Sequence, residues 1–233
     1  MKQALQAGLP ALGRALSQEQ LETFCRFGQA LIEKNQVMNL TAITEPEAVA
    51  RLHFLDCMAL LNVYEFTGKQ VIDVGCGAGF PGVPLKIAEP TIRLTLLDSL
   101  KKRVDWLSQI LPELGIPAEC TAARAEEYAL EHREQYDVAV SRAVARLNVL
   151  AELCLPLVQV GGAFVAMKST DSDEELSQAA HGIGLLGGKV RKIVDYPVPG
   201  TDAVHRAVVI EKVRRTPAQY PRRFAKIKQS PLT

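Results

Sequence analysis

A glycine-rich loop carries the strongest chemical signal in this sequence. Residues 71–82 read VIDVGCGAGFPG, so an apolar, β-rich run leads directly into four glycines within eight residues. Glycine lets the backbone turn sharply and lets a ligand approach the main chain closely, and a helix that begins after such a loop presents free N–H groups. The loop therefore predicts a binding site for a nucleotide-like cofactor.

Two classes of cofactor fit the loop. Gly77, Gly79 and Gly82 satisfy the GxGxxG fingerprint, in which the loop holds the pyrophosphate of a dinucleotide. Gly75, Gly77 and Gly79, preceded by Asp73, instead form the D-x-G-x-G-x-G pattern of methyltransferases that use S-adenosylmethionine. S-adenosylmethionine carries an ammonium and a sulfonium but no phosphate, so a carboxylate near the loop suits it better than a pyrophosphate. Asp73 therefore favours S-adenosylmethionine.

Further candidate cofactor contacts follow the next two strands. Asp98 ends an apolar run 19 residues after Gly79, where an acid accepts hydrogen bonds from ribose hydroxyls. The alternative for Asp98 is that it caps a helix beginning at residue 99. Ala125 and Glu126 follow the third strand, where the adenine would lie, although a glutamate in the first turn of a helix also complements the helix dipole.

Arg142 stands at the end of the fourth predicted strand. In an open parallel sheet the ligand crevice lies beyond the carboxyl ends of the strands, so we expect Arg142 to point at cofactor or substrate. The alternative is a surface arginine paired with a neighbour. No Asn-Pro-Pro-Tyr type motif follows this strand and no Pro-Cys pair occurs, which disfavours methylation of exocyclic amines and of cytosine C5.

The elements that must position these residues follow from the hydrophobic pattern. Runs with strand character lie at residues 71–74, 92–97, 136–140 and 163–167, and helical patterns lie at residues 83–88, 99–114, 124–129 and 147–158. Such alternation is typical of βαβ units. We therefore predict an α/β fold with a doubly wound, Rossmann-like, mostly parallel sheet. Residues 189–194 and 204–212 could pair antiparallel at its edge.

The first part of the chain predicts helices. Ser17 with Gln20 three residues later resembles a capping box, apolar residues then recur at helical spacing up to Lys34, and a second helix should begin at Pro46. The predicted organisation is a helical N-terminal segment at residues 1–66, an S-adenosylmethionine-dependent methyltransferase domain at residues 67–213 and a basic tail at residues 214–233.

Charge is unevenly distributed along the chain. From Lys212 to the C-terminus there are seven basic residues and no acid, so with a net charge of +1 overall this +7 segment leaves −6 for residues 1–211. A basic tail on an acidic body indicates a polyanionic partner, and the alternative is a solvated tail that aids solubility. Pro217, Pro221 and Pro231 argue against a helix, so we expect an extended strap that orders on its partner.

Composition narrows the class of protein. With 48% hydrophobic and 23% charged residues and no apolar run near the roughly 20 residues that a bilayer needs, we expect a cytoplasmic protein without membrane contact. The five cysteines are far apart and form no CxxC, so we expect buried thiols, no disulfide framework and no metal. We also expect a monomer.

Several short motifs together resemble one family, the bacterial small-subunit ribosomal RNA guanine-N7 methyltransferases, also called glucose-inhibited division protein B. The motifs are NLT at 39–41, HFLD at 53–56, the loop at 73–82 with PGVPL at 81–85, LDS at 97–99 followed by Lys102 and Arg103, RAE at 124–126 and SRA at 141–143. The resemblance covers residues 31–212. The sequence YPRR at 220–223 resembles an extension found in only some members.

The resemblance implies a function and a set of site residues. It implies methyl transfer from S-adenosylmethionine to guanine N7 in small-subunit (16S) ribosomal RNA or a ribosomal particle, with no general base, because N7 already carries an in-plane lone pair. The residues that match the family's cofactor-contacting positions are Gly75, Phe80, Ala125, Glu126 and Arg142, and those that fit the general methyltransferase pattern are Gly77, Gly79 and Asp98.

Two other functions remain open at this point. The GxGxxG reading of the loop allows an NAD(P)-dependent oxidoreductase. The basic tail also allows a non-catalytic RNA-binding module that keeps a vestigial cofactor loop.

Overall fold

A seven-stranded sheet positions the glycine loop and the acids that follow it. The computed structural model describes residues 1–142 and 145–233, and the strand order is β3-β2-β1-β4-β5-β7-β6. The strands are β1 Gln70–Val74, β2 Arg93–Asp98, β3 Glu119–Ala122, β4 Tyr136–Arg142, β5 Val158–Ser169, β6 Gly188–Pro197 and β7 Val204–Lys212. Strands β1 to β5 pair in parallel, whereas β7 runs antiparallel to both β5 and β6. The predicted α/β fold with an antiparallel edge is confirmed.

Helices cover both faces of the sheet. They are α1 Lys2–Gly8, α2 Gln18–Met38, α3 Pro46–Val49, α4 Asp56–Met58, α5 Gly82–Ala88, α6 Lys101–Glu113, α7 Ala125–Glu131, α8 Leu147–Cys154, α9 Asp173–Leu185 and α10 Phe224–Gln229. Neighbouring residues of a strand face opposite sides of a sheet. Val71 therefore joins the core shared with α2, α5 and α6, whereas Ile72 joins the core shared with α7, α8 and α9.

The N-terminal helices pack against the glycine loop. The Ser17 hydroxyl accepts a hydrogen bond from the Gln20 N–H at 3.1 Å, and the Gln20 side chain accepts one from the Ser17 N–H at 2.8 Å, so the predicted capping box is present. Phe27 and Phe54 are fully buried, with ring centroids 6.0 and 6.1 Å from that of Phe80.

The sequence did not predict α1. The division into three segments stays a prediction.

The helical stretch that begins at Pro46 changes its winding before it ends. After α3 it continues as a π-helical turn, Ala50–Leu55, then as α4 and as a 3-10 turn, Ala59–Asn62. Turns of the π type are rare and occur frequently at functional sites. This one carries His53, which reaches the site described below.

The structure allows the expectations about cysteines, metal ligands and membrane spans to be compared with the described residues. All five cysteines are free thiols; Cys57, Cys76 and Cys154 are buried as expected, whereas Cys25 and Cys120 are only partly buried. Among residues 1–142 and 145–233 no three His, Cys, Asp or Glu side chains are grouped as a metal site would require. Within the same residues no helix is long and apolar enough to cross a membrane.

The expectation of an extended tail is wrong. The tail docks against the domain, and its residues 224–229 form α10. Arg133 donates hydrogen bonds to the carbonyls of Thr216, Pro217 and Tyr220 at 2.6 to 2.9 Å, and Ile227 is fully buried beside α8. The prolines flank α10 and do not interrupt it, so an apolar side chain in the middle of a basic segment suffices to seat a short helix.

Two of the seven cations are not exposed, because one is fully buried and the other is partly buried. Lys212 is fully buried, donates to the carbonyls of Leu155 and Val158 and lies 3.2 Å from Glu134, and burial lowers its pKa to about 8. Arg222 forms an ion pair with the buried Glu152 at 2.6 Å. The exposed basic residues of the tail are Arg214, Arg215, Arg223, Lys226 and Lys228.

The Arg222–Glu152 pair should anchor the tail. Arg222→Ala removes the charged partner of the fully buried Glu152 carboxylate and leaves it the hydrogen bond from the backbone N–H of residue 222. We expect a loss of about 2 to 3 kcal/mol in the free energy of unfolding, below the roughly 3 to 5 kcal/mol of a fully buried pair because Arg222 is partly exposed. Urea unfolding measures this change. The matched control is Arg223→Ala, an exposed neighbour that should change stability by less than about 0.5 kcal/mol. Equal stability of the two variants would contradict the claim that the Arg222–Glu152 pair anchors the tail.

Candidate functional site

The glycine loop turns through three left-handed residues directly after β1. Gly75, Gly77 and Gly79 have φ values of 73, 57 and 92°, a region that other residues rarely adopt. The N–H groups of Gly75 and Cys76 both donate to the Leu97 carbonyl, at 2.8 and 3.1 Å. The loop is therefore fastened to the carboxyl end of β2, where Asp98 lies.

Two buried carboxylates hold the loop from either end. Asp98 Oδ2 accepts a hydrogen bond from the Gly77 N–H at 2.9 Å, and its Oδ1 accepts one from the Leu100 N–H at 2.8 Å. Asp73 Oδ2 accepts one from the Gly82 N–H at 2.7 Å, at the start of α5. Each Asp98 oxygen keeps further acceptor capacity, so Asp98 can bind ligand hydroxyls while it holds the loop.

Asp73 supports the loop from inside the fold. Burial raises its pKa to about 7, although the hydrogen bond from Gly82 opposes the rise. Its Oδ1 has no hydrogen-bond partner within the described part of the chain. Asp73 is fully buried and is absent from the described residues that line the two cavities below, so any effect on a cationic ligand acts through space.

Most of the remaining N–H groups of the loop also donate within the protein. Gly79 and Phe80 donate to the Cys76 carbonyl at 2.7 and 2.9 Å. Together with the bonds of Gly75, Cys76, Gly77 and Gly82, six N–H groups of the loop already have protein acceptors. A loop that binds phosphate needs these groups free to point at the ligand.

Two cavities open beside the loop and meet at its base. One has a volume of about 190 Å³ and the other of about 380 Å³. Gly75, Asp98 and Ser99 line both of them. A ligand that spans the two cavities would therefore pass Asp98 at its middle, as the ribose of an adenosine derivative would.

The smaller cavity collects the predicted adenine-side residues. Ala125 and Glu126 line it, together with Arg124 from the preceding loop and Phe224 from α10. Glu126 is buried, and its Oε1 accepts a hydrogen bond from Arg124 Nε at 2.7 Å. No pattern in the sequence indicated Phe224, which lies 98 residues beyond Glu126 in the chain.

The larger cavity collects three other residues that were predicted to contact the cofactor. Gly77, Phe80 and Arg142 line it, and Thr41 and His53 from the N-terminal segment join them. Gly79 lines neither cavity among the described residues. A Cβ on Gly79 would lie 2.7 Å from Val83 Cγ2, so Gly79 lets α5 pack closely behind the loop, whereas a Cβ on Gly77 would lie 3.9 Å from Arg103.

Arg142 pairs with a neighbour, as the alternative supposed, but it is largely buried and not a surface residue; its contact with cofactor or substrate stays a prediction. Its side chain is 17% exposed and pairs with Asp56 Oδ2 at 3.4 Å. It also donates to His53 Nδ1 at 3.0 Å and lies over the Phe80 ring, 4.7 Å from the centroid. The neighbouring Ala143, part of the predicted SRA motif, lies outside the described residues.

The contact with Arg142 sets the protonation state of His53. An arginine only donates hydrogen bonds, so Nδ1 accepts and the proton resides on Nε2, which donates to the Thr41 hydroxyl at 2.8 Å. Burial and the charge of Arg142 lower the pKa of His53 to about 4. His53 and Thr41 lie in the HFLD and NLT motifs, which marked the family without assigning these residues to the site.

Asp56 connects Arg142 to the antiparallel edge of the sheet. Its Oδ1 accepts hydrogen bonds from the Tyr196 hydroxyl of β6 at 3.0 Å and from His205 Nδ1 of β7 at 2.8 Å. The hydrogen bond to Asp56 raises the pKa of His205. The N-terminal segment, β4 and the sheet edge therefore share one polar network behind the larger cavity.

The fold matches solved structures of methyltransferases. A SAM-dependent methyltransferase from Aquifex aeolicus superposes with a TM-score of 0.53 and 16% identity, over 70% of this chain and 92% of that one. TrmN from Thermus thermophilus superposes with a TM-score of 0.53 and 20% identity, over 67% of this chain and 48% of that one. Identities this low establish a shared fold alone, an α/β class that includes a SAM-dependent methyltransferase.

Sequence comparison identifies the family within that class. Residues 20–198 match the family described as rRNA small subunit methyltransferase G. Ribosomal RNA small subunit methyltransferase G of Lachnoclostridium phytofermentans is 46% identical over 97% of this chain and 95% of that protein. The protein of the same name from Acetivibrio thermocellus is 41% identical over 100% and 97%. The chain belongs to the rRNA small subunit methyltransferase G family, as its motifs indicated.

Gly77 and Gly79 should respond differently to an added methyl group. Gly77→Ala places the methyl beside the cavity, so we expect a folded protein that binds S-adenosylhomocysteine at least about tenfold more weakly. The left-handed backbone at this position should lower the free energy of unfolding by roughly 1 to 2 kcal/mol. Gly79→Ala should lose more stability because its Cβ meets Val83. Calorimetric titration and thermal unfolding separate the two effects. Unchanged affinity in folded Gly77→Ala would show that the ligand does not approach the loop here.

His53 should make the fold sensitive to acid. The unfolded chain takes up this proton at the ordinary pKa of 6.5, whereas the folded chain does so only near pH 4, so protonation favours unfolding as the pH falls through that window. Protonation of His53 should lower the free energy of unfolding by about 3 kcal/mol in total. Between pH 7 and pH 4 wild type should therefore lose about that much more stability than His53→Gln. Urea unfolding at a series of pH values measures both curves, and parallel curves would contradict a neutral His53.

Proposed function

We propose that this protein transfers a methyl group from S-adenosylmethionine to N7 of a guanine in small-subunit (16S) ribosomal RNA. The family supports the reaction class, because relatives that match nearly the whole chain are named ribosomal RNA small subunit methyltransferase G. The observation that carries the proposal is the pair of cavities that meet at Gly75 and Asp98, beside a loop whose N–H groups mostly donate within the protein.

The residues of the two cavities fit S-adenosylmethionine. Asp98 would accept hydrogen bonds from the ribose, Ala125 and Glu126 would contact the adenine, and the larger cavity would take the methionine end beside Gly77 and Phe80. Gly79 would contribute by letting α5 approach the loop. When bound, S-adenosylmethionine supplies an electrophilic methyl group on a sulfonium.

The oxidoreductase alternative is poorly supported by the same loop. A dinucleotide pyrophosphate would require N–H groups that here donate to Leu97, Cys76, Asp98 and Asp73. Asp98, moreover, brings a buried carboxylate directly to the Gly77 N–H, where it would repel a phosphate.

The larger cavity also suits a reaction that creates a cationic base. Guanine N7 already holds a lone pair in the plane of the ring, so no protein group has to remove a proton, and alignment and exclusion of water supply most of the rate enhancement. The methylated base becomes positive, and a nearby positive charge would oppose the transition state. His53 is held neutral and the charge of Arg142 is compensated by Asp56, so Arg142 can orient cofactor or RNA.

RNA would meet a surface that still carries exposed cations. In the tail these are Arg214, Arg215, Arg223, Lys226 and Lys228. Contacts from such residues to phosphates would position RNA, whereas base-edge contacts in the larger cavity would choose the guanine. A monomeric protein that needs no metal and acts in the cytoplasm stays a prediction.

Methyl transfer to RNA tests the proposal directly. Small-subunit ribosomal RNA, naked or as assembled particles, is incubated with the protein and methyl-labelled S-adenosylmethionine, and mass spectrometry maps the modified nucleotide. We expect 7-methylguanosine at a single site, with strongly reduced product for Gly77→Ala because its cofactor binding is impaired. RNA binding without methyl transfer would instead support the non-catalytic module, and methylation of another base or atom would contradict the proposed specificity.

A further inference from the structure

We propose that Phe224 of the C-terminal tail forms part of the adenine-binding wall, so that the docked tail contributes directly to cofactor affinity. This inference rests on the proposed function, because it concerns the adenosine end of the same site. It assigns a binding role to a segment that lies beyond residues 20–198, the part of the chain that matches the family.

Phe224 is linked to both predicted adenine-side residues. It lines the cavity of about 190 Å³ together with Ala125 and Glu126. The guanidinium of Arg124 lies 4.4 Å from the centroid of the Phe224 ring, and Arg124 Nε donates to Glu126 Oε1 at 2.7 Å. Phe224, Arg124 and Glu126 therefore form a continuous chain of contacts along one wall of the cavity.

The same three side chains also line a second cavity. This second cavity has a volume of about 650 Å³ and is lined by Arg124, Glu126 and Phe224 together with tail residues such as Arg222 and Ala225. Removing the Phe224 ring would take a lining side chain from both cavities. The adenosine would then lose an apolar contact.

The tail is held firmly enough for this role. Arg222 donates three hydrogen bonds to the buried Glu152 carboxylate, two from its guanidinium and one from its backbone N–H, at 2.6 to 2.9 Å. Ile227, three residues after Phe224, is fully buried beside α8. Phe224 is therefore fixed between two anchors, Arg222 and Ile227.

The chemistry of the wall matches an adenine. An aromatic side chain offers favourable contact to the π-system of a base, and contacts of this kind are lost measurably on substitution by alanine. The Glu126 carboxylate provides an acceptor, which the exocyclic amine of adenine can use as a donor. An apolar ring beside a carboxylate suits an adenosine group better than it suits a phosphate.

Calorimetric titration with two ligands tests the inference. S-adenosylhomocysteine fills the whole site, whereas 5′-methylthioadenosine keeps the adenosine end without the amino acid. Phe224→Ala should weaken both by a similar factor of at least about five. Phe224→Tyr keeps the ring and should bind nearly as wild type. Lys226→Ala, an exposed change on the same helix, is the matched control and should leave both affinities unchanged.

The outcomes separate this inference from the proposed function. If wild type binds both ligands and folded Phe224→Ala binds them equally well, the adenine-wall role is wrong while the cofactor site stands. Weakening of S-adenosylhomocysteine alone would also contradict it, since the lost contact would then lie outside the adenosine end. If Phe224→Ala does not fold, Phe224→Leu, which keeps apolar bulk, replaces it, and its binding of both ligands is compared with that of wild type. A wild type that binds neither ligand would overturn both proposals.

Discussion

The glycine loop is shaped by acceptors that belong to the protein itself. Its N–H groups donate to the Leu97 and Cys76 carbonyls and to the carboxylates of Asp98 and Asp73. Because these partners lie at the ends of β1 and β2 or within the loop, the parallel sheet determines where the loop sits. The cavity beside it is consequently lined by glycine backbone and a carboxylate, an environment suited to ribose and to cationic groups.

Remote parts of the chain complete the site around that loop. The π-helical turn and α4 bring His53 and Asp56, respectively, to Arg142 at the end of β4, and Asp56 extends the network to the antiparallel sheet edge. The tail brings Phe224 to the opposite cavity. Each of the two cavities of the proposed cofactor site is thus lined in part by a segment outside the βαβ core.

The sequence predicted the features that depend on local pattern. The alternation of apolar runs located every strand except β3, which is short and not buried, and the spacing of Asp98 from the loop was informative because parallel strands end at one edge. Long-range packing was not predictable in this way. His53 meets Arg142 across 89 residues, and the packing role of Gly79 depends on the position of Val83. Phe224 reaches the cavity from a segment whose prolines disfavoured a helix.

A crystal structure of the protein with S-adenosylhomocysteine tests the central claim most directly, because that claim is a single cofactor site spanning two cavities. The structure should show the ribose hydroxyls on Asp98, the adenine between Glu126 and Phe224, and the homocysteine portion in the cavity lined by Gly77, Phe80 and Arg142. A ligand bound outside these cavities, or in the reverse orientation with its adenine beside Arg142, would contradict the account.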